Sequence, residues 1–269
     1  MPDPFAYDAD LRLEIRERGR RAAGSAVIRD VELAGQDGSD EAFLIEPSGG
    51  GHGAAVMFLH WFDDRAPDGN REEFVDEAVE LAGRGVVSLL PQGVFPWKAP
   101  PTDAAADTRH IADQVVRQRR YLDLLMARPD VSPGRLALVG HDFGGMHAAI
   151  LASVDRRPAA AVLIAAVPRW ADWFLPFWPI AGDRHDYLRA LAPYDPITHV
   201  ASAAPARLLF QFAKNDYYIA AMTGGELMRA ASEPKALKAY EADHAMRDPS
   251  ARADRLAFLE EALRLPVAA

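Results

Sequence analysis

Apolar runs that alternate with helix-compatible stretches constrain this chain more than any other feature. AAVMFLHWF (54–62), GVVSLLP (85–91), RLALVGHD (135–142), AAAVLIAAVP (159–168), ARLLFQFA (206–213) and ALKAYEA (236–242) are short and rich in aliphatic residues. Continuous runs of this length fit strands covered on both faces. Between them lie EEFVDEAVELAGRG (72–85), DAAADTRHIADQVVRQRRYLDLLMARP (103–129), GGMHAAILASV (144–154), AAMTGGELMRAAS (220–232) and SARADRLAFLEEALRL (250–265), all with helical spacing. In the longest of these, Ile111, Val115, Val116, Leu122 and Leu125 fall on one face. SAVIRDVELAG (25–35) and EAFLIEPS (41–48) read as an opening pair of strands, with QDGSD as the turn between them. Repeated strand–helix units require a parallel sheet with helices on both faces. The expected class is α/β: one domain over residues 1–269, built on a mostly parallel, eight-stranded sheet.

The alternation breaks once, at RWADWFLPFWPIAGDRHDYLRALAPY (169–194). This segment holds Trp170, Trp173, Trp178, Tyr187 and Tyr194, and it reads as a short lid inserted in the domain. Charge narrows the partners. A net charge of −9 argues against nucleic acid, which demands a concentrated basic surface. The basic clusters RERGRR (Arg16 to Arg21) and RQRR (Arg117 to Arg120) read as solvated helix faces. The absence of cysteine excludes a disulfide framework, a thiolate nucleophile and Cys-ligated metals. MPDPFAYDADLR lacks the bases and apolar stretch of a signal peptide, and no run reaches a membrane span. The expectation is a cytoplasmic protein with no membrane partner.

The strand RLALVGHD runs straight into a helix through Gly-His-Asp-Phe-Gly-Gly. In the pattern G-x-S-x-G, the central residue is a nucleophile on a sharp strand-to-helix turn. Here that residue is Asp142. Gly140 and Gly144 are the small residues such a turn requires, and Gly145 lets the helix pack closely. The plainer alternative is an aspartate that caps the helix. The triad order, however, is nucleophile, acid, histidine. Asp216 follows the strand ARLLFQFA and His244 follows ALKAYEA, which puts all three at the edge where open parallel sheets bind ligands. Asp172 and Asp243 are the reserve acids.

With these residues in hand, the chain resembles the α/β-hydrolases along nearly its whole length. PFAYDADLRL and the strand order resemble the dienelactone-hydrolase-like branch. GHDFGG is similar to the epoxide hydrolases and haloalkane dehalogenases, whose nucleophile is an aspartate. The resemblance implies an oxyanion hole made by the N–H of Phe143 and that of Trp61 or Phe62, and it calls for no cofactor and no metal. Where epoxide hydrolases have His-Gly-x-Pro, this chain has His60-Trp61-Phe62-Asp63.

An aspartate is already ionised at neutral pH, at a reference pKa of ~3.9. Its attack on an ester carbonyl would give a strained anhydride, whereas attack on saturated carbon gives an alkyl ester. His244, oriented by Asp216, would then serve as base for the water that hydrolyses that ester. A halide leaving group needs N–H donors such as the indoles of Trp170, Trp173 and Trp178. An epoxide oxygen needs an acid, by resemblance a lid tyrosine: Tyr187 or Tyr194, with Tyr217 and Tyr218 in reserve. Phe143 stands where halide sites often have tryptophan, which favours the epoxide. The expected partners are a small apolar organic substrate and water. The other readings are a dehalogenase, a scaffold turned to lyase or cyclase chemistry, and a binding protein without catalysis.

Overall fold

The computed structural model describes residues 3–35, 38–63, 65–94, 103–177 and 179–266. The chain opens with an antiparallel meander: β1 (Glu14–Ala23), β2 (Ala26–Gly35) and β3 (Gly38–Pro47). β3 then pairs antiparallel with β5 (Val86–Pro91). From β5 onward all pairing is parallel, through β4 (Gly53–Leu59), β6 (Val131–His141), β7 (Pro158–Ile164), β8 (Arg207–Ala213) and β9 (Lys235–Tyr240). The sheet has nine strands in the order β1-β2-β3-β5-β4-β6-β7-β8-β9.

The additional strand is β1, and it overturns one expectation. Arg16 to Arg21 lie on an edge strand rather than a helix face. The segment has no apolar residue at three- and four-residue spacing. Its charges pair along and across the ladder instead, Glu17 taking Arg20 of its own strand at 2.6 Å and Arg29 of β2 at 2.7 Å. A charged, exposed edge with a bulge between Glu17 and Gly19 resists pairing with other chains. The turn expected at QDGSD is shorter than read: Gly38 already begins β3, and residues 36 and 37 lie outside the described residues.

The parallel strands β4 to β8 are buried as their composition demands; Val56, Met57, Leu138, Val139, Leu163 and Phe210 are 0% exposed. By contrast β9, read as covered on both faces, is an edge strand exposed from Ala236 to Ala239. Helix α1 (Val75–Ala82) packs on β5 and β3, and α2 (Ala104–Met126) on β6. Ile111, Val115, Leu122 and Leu125 form the buried face of α2, with Val116 half-buried at its rim. Helices α3 (Phe143–Val154) and α8 (Pro249–Leu263) both pack on β6 and β7, from opposite faces. The segment expected as a lid folds as α4 (Trp170–Phe177) and α5 (Arg184–Leu191). After it come the single turn α6 (Pro196–His199) and, beyond β8, α7 (Ala221–Ala230). Arg117 to Arg120 sit in α2, as expected, but the face is not solvated. Gln118 is 1% exposed, and Arg119 is held by Asp155 at 3.3 Å and by the Phe5 oxygen at 2.7 Å. Among the described residues no helix is long and apolar enough to cross a membrane.

Candidate active site

Asp142 alone joins β6 to α3, with φ 54° and ψ −113°. Non-glycine residues adopt such a conformation only when the surroundings enforce it. The enforcement comes from close packing around the turn. A Cβ on Gly144 would stand 1.9 Å from the Leu59 carbonyl oxygen, and one on Gly140 would stand 2.2 Å from the Gly144 oxygen. The Asp142 N–H donates to the Ile164 oxygen at 2.8 Å, which ties the turn to β7. The side chain makes no capping bond to α3, so the capping alternative fails. The carboxylate is 0% exposed and neither of its oxygens is hydrogen-bonded. A buried acceptor left without a donor is costly, and such groups collect where chemistry needs them.

Asp216 sits in the loop after β8, where its Oδ1 accepts the N–H groups of Tyr218 at 2.8 Å and Ile219 at 3.0 Å. Its Oδ2 accepts from His244 Nδ1 at 2.9 Å. His244, in the loop after β9, turns Nε2 toward Asp142, 3.7 Å from Oδ2. Burial alone would lower the pKa of His244, but the carboxylates on either side outweigh it and push it up to about 10. For Asp216, burial works upward and is overcome by the His244 contact and the two amides, so its carboxyl lies below the ordinary value. The reserve acid Asp172 lies beside Arg169 instead, at 3.5 Å.

Aromatic rings close over this group. Trp61 meets the His244 ring edge-on at 5.2 Å, Tyr218 meets it at 5.0 Å, and Trp173 bridges Tyr218 (6.2 Å) and Phe143 (4.6 Å). Phe143 heads α3 beside Asp142, where a helix presents its first amides. Phe62 is half-buried against the core. The Trp61 N–H, however, donates to Glu73 Oε2 at 3.1 Å, so it is not aimed at a reacting oxygen. The other expected pocket residues are turned to packing. Tyr187 donates its hydroxyl to Asp107 at 2.8 Å and is 2% exposed; Tyr194 packs against Phe5 at 6.1 Å. Trp170 is 0% exposed, and its indole N–H donates to the Tyr194 oxygen at 2.8 Å. The Tyr187 hydroxyl and the Trp170 indole are taken up by neighbours because a buried donor needs a partner. Trp178 lies outside the described residues.

Two groups that spacing could not disclose stand behind Asp142, Asp216 and His244. His141 contacts Glu73 through Nδ1 at 2.5 Å and the His244 carbonyl oxygen through Nε2 at 2.9 Å. The only sequence hint was the position of His141 beside Asp142. A cleft of about 470 Å³ reaches Glu73, His141 and Trp61 from the outside. Among the described residues no group of three or more His, Asp or Glu side chains could hold a metal ion.

An acetyl xylan esterase from Paenibacillus sp. R4 is similar over 93% of this chain and 89% of its own, with a TM-score of 0.73 and 20% identity. A cold-adapted esterase from an Arctic intertidal metagenomic library matches 93% of this chain and 99% of its own, at 0.67 and 16%. The 2,6-dihydroxy-pseudo-oxynicotine hydrolase matches 91% and 68%, at 0.66 and 15%. Neither a protein-family model nor a curated protein matches the sequence. Nine ordered strands, helices on both faces and these likenesses establish an α/β-hydrolase fold.

Proposed function

We propose that the protein hydrolyses apolar epoxides through an ester on Asp142. The observation that carries this reading is the arrangement of Asp142: a buried carboxylate without a hydrogen bond, on a strained turn, 3.7 Å from a histidine that Asp216 holds from behind. An Asp142 oxygen attacks an epoxide carbon, the C–O bond breaks, and its electron pair goes to the ring oxygen. That oxygen takes the proton carried by His244, whose pKa of about 10 keeps it charged at neutral pH. Tyr218, over the His244 ring, replaces Tyr187 and Tyr194 as the phenol able to hydrogen-bond the developing alkoxide. His244 is now neutral and faces an ester in place of an anion. It takes a proton from water, which adds to the Asp142 carbonyl carbon; the Phe143 amide supports the oxyanion. Collapse breaks the bond between the Asp142 carbonyl carbon and the substrate oxygen, which takes the proton of the added hydroxyl as the diol leaves. Asp142 is again a carboxylate beside a protonated His244.

This proton balance favours the epoxide over the halide. Displacing a halide consumes no proton, so His244, 4% exposed, would have to release one to solvent before acting as base. The Trp170 indole, engaged by Tyr194, also offers no halide contact. The neighbours' ester chemistry transfers poorly, since carboxylate attack on an ester gives an anhydride. The test is His244→Gln incubated with matched epoxides and haloalkanes, followed by the mass of the denatured protein. A persistent substrate-sized adduct on the Asp142 peptide from epoxides is the expected result, formed slowly because the variant also lacks the His244 proton. Sustained wild-type turnover should be seen with epoxides and not haloalkanes. Normal turnover by the variant or an adduct elsewhere refutes the reading.

A further inference from the structure

We propose that Glu73 and His141 form a buried ion pair that positions the His244 and Trp61 loops and sets how readily His244 gives up its proton. The proposal rests on the reading of His244 as the general base. Both ring nitrogens of His141 face acceptors: the Glu73 carboxylate at 2.5 Å and the His244 carbonyl at 2.9 Å. The carbonyl can only accept, so Nε2 carries hydrogen, and an ionised Glu73 on Nδ1 requires hydrogen there too, which makes the ring cationic. A charge 0% exposed persists only with a counter-ion, and the Glu73 carboxylate is that partner. The other Glu73 oxygen holds the Trp61 amide at 3.1 Å. One carboxylate thereby fixes the end of β6, the loop after β4 and, through His141, the loop after β9.

The pair also acts through its charge. The His141 ring lies 5.2 Å from the His244 ring, so its cation opposes protonation of His244. Facing His244 are Asp142 on Nε2, Asp216 on Nδ1, the Tyr218 phenol and His141 itself. On the cleft side, Arg255 is paired with Glu77 at 2.7 Å and Arg252 with Glu80 at 2.6 Å, so neither arginine is left to replace His141. As Asp142 turns into a neutral ester, Asp216 alone would hold the His244 proton against this neighbouring cation, which eases its transfer to the opening ring oxygen.

Glu73→Gln separates the charge from the bonds. The glutamine oxygen can accept from Trp61 and its amide can donate to a neutral His141, which keeps Nε2–H on the His244 carbonyl. Histidine ¹⁵N spectra of the free wild-type protein should show His141 with both nitrogens protonated at neutral pH. In Glu73→Gln one His141 nitrogen should lose its proton, and the His244 midpoint should rise by about one pH unit, lowering its neutral fraction about tenfold. A bare nitrogen on wild-type His141, or an unchanged His244 midpoint in a folded variant, overturns the proposal. The wild-type spectrum decides even if the variant fails to fold. Because no substrate is present, an error in the reaction class cannot imitate either outcome.

Discussion

At the scale of single residues, Asp142 is held in a conformation that its neighbours impose and that only glycines around it permit. Gly144→Ala would drive a methyl into the Leu59 carbonyl, backbone against backbone, since the Cβ would sit 1.9 Å away. It should destabilise the fold by about 3 kcal/mol or more, or prevent folding, as read by urea melts. Asp142→Asn should keep the turn, because asparagine tolerates positive φ, yet remove the anion facing His244. The variant mimics the charge of the ester. Its His244 midpoint should therefore fall from about 10 by more than about one unit, seen by NMR titration. An unmoved midpoint would remove the basis for proton transfer as Asp142 is alkylated. The raised value also has a consequence for stability. The charged His244 contributes fully below its unfolded pKa of ~6.5, and that contribution is lost as pH rises toward and through about 10. Wild type should lose stability across that window relative to His244→Gln, measured by unfolding at several pH values.

Between elements, α4 and α5 show why aromatic content misleads. The segment 169–194 offered indoles and phenols in number, but the fold uses several of them to attach itself. Trp170 stacks on Phe143 at 6.2 Å, and Tyr187 bonds α5 to α2 through Asp107. Tyr187→Phe should cost about 1–3 kcal/mol of stability, for a lost bond to a buried carboxylate, and leave Asp142 alkylation within about twofold. Tyr218→Phe should do the reverse, slowing epoxide opening about 10²-fold or more while thermal melts change little. Single-turnover rates beside melts on both variants decide the assignment; a slow Tyr187→Phe would move the phenol that hydrogen-bonds the alkoxide to α5.

Across the whole molecule, the site exists because distant parts of the chain close on one another. The strands carrying Asp142, Asp216 and His244 lie side by side in the sheet region β6-β7-β8-β9, so their loops open at one edge. Closure is reinforced where α1 meets α8: Arg255 grips Glu77, 2.7 Å away, and both are nearly excluded from solvent. Arg255→Ala should cost about 3–5 kcal/mol, because it strands a buried carboxylate. Replacing both members with Met and Leu should recover most of that loss, since well-packed apolar residues can substitute for a buried pair. Denaturant midpoints of the single and double variants test this. A double variant as weak as the single would mean that the pair holds the helices in a way packing cannot.

The sequence alone determined the parallel half of the sheet, the helices between its strands, the turn at Asp142 and the order Asp142, Asp216, His244. These are carried by local features: apolar runs, periodicity, and glycines where no side chain fits. It misread β1, because a charged edge strand buries nothing and so leaves no apolar period to read. It could not decide which of Tyr187, Tyr194, Tyr218, Trp170 and Trp173 face the triad. All are equally aromatic, and their orientation depends on partners such as Asp107 and Phe5, the first 80 residues away along the chain. Glu73 and His141 were invisible for the same reason. Their roles come from contacts spanning 68 and 103 residues, which only the closed sheet brings within hydrogen-bonding distance.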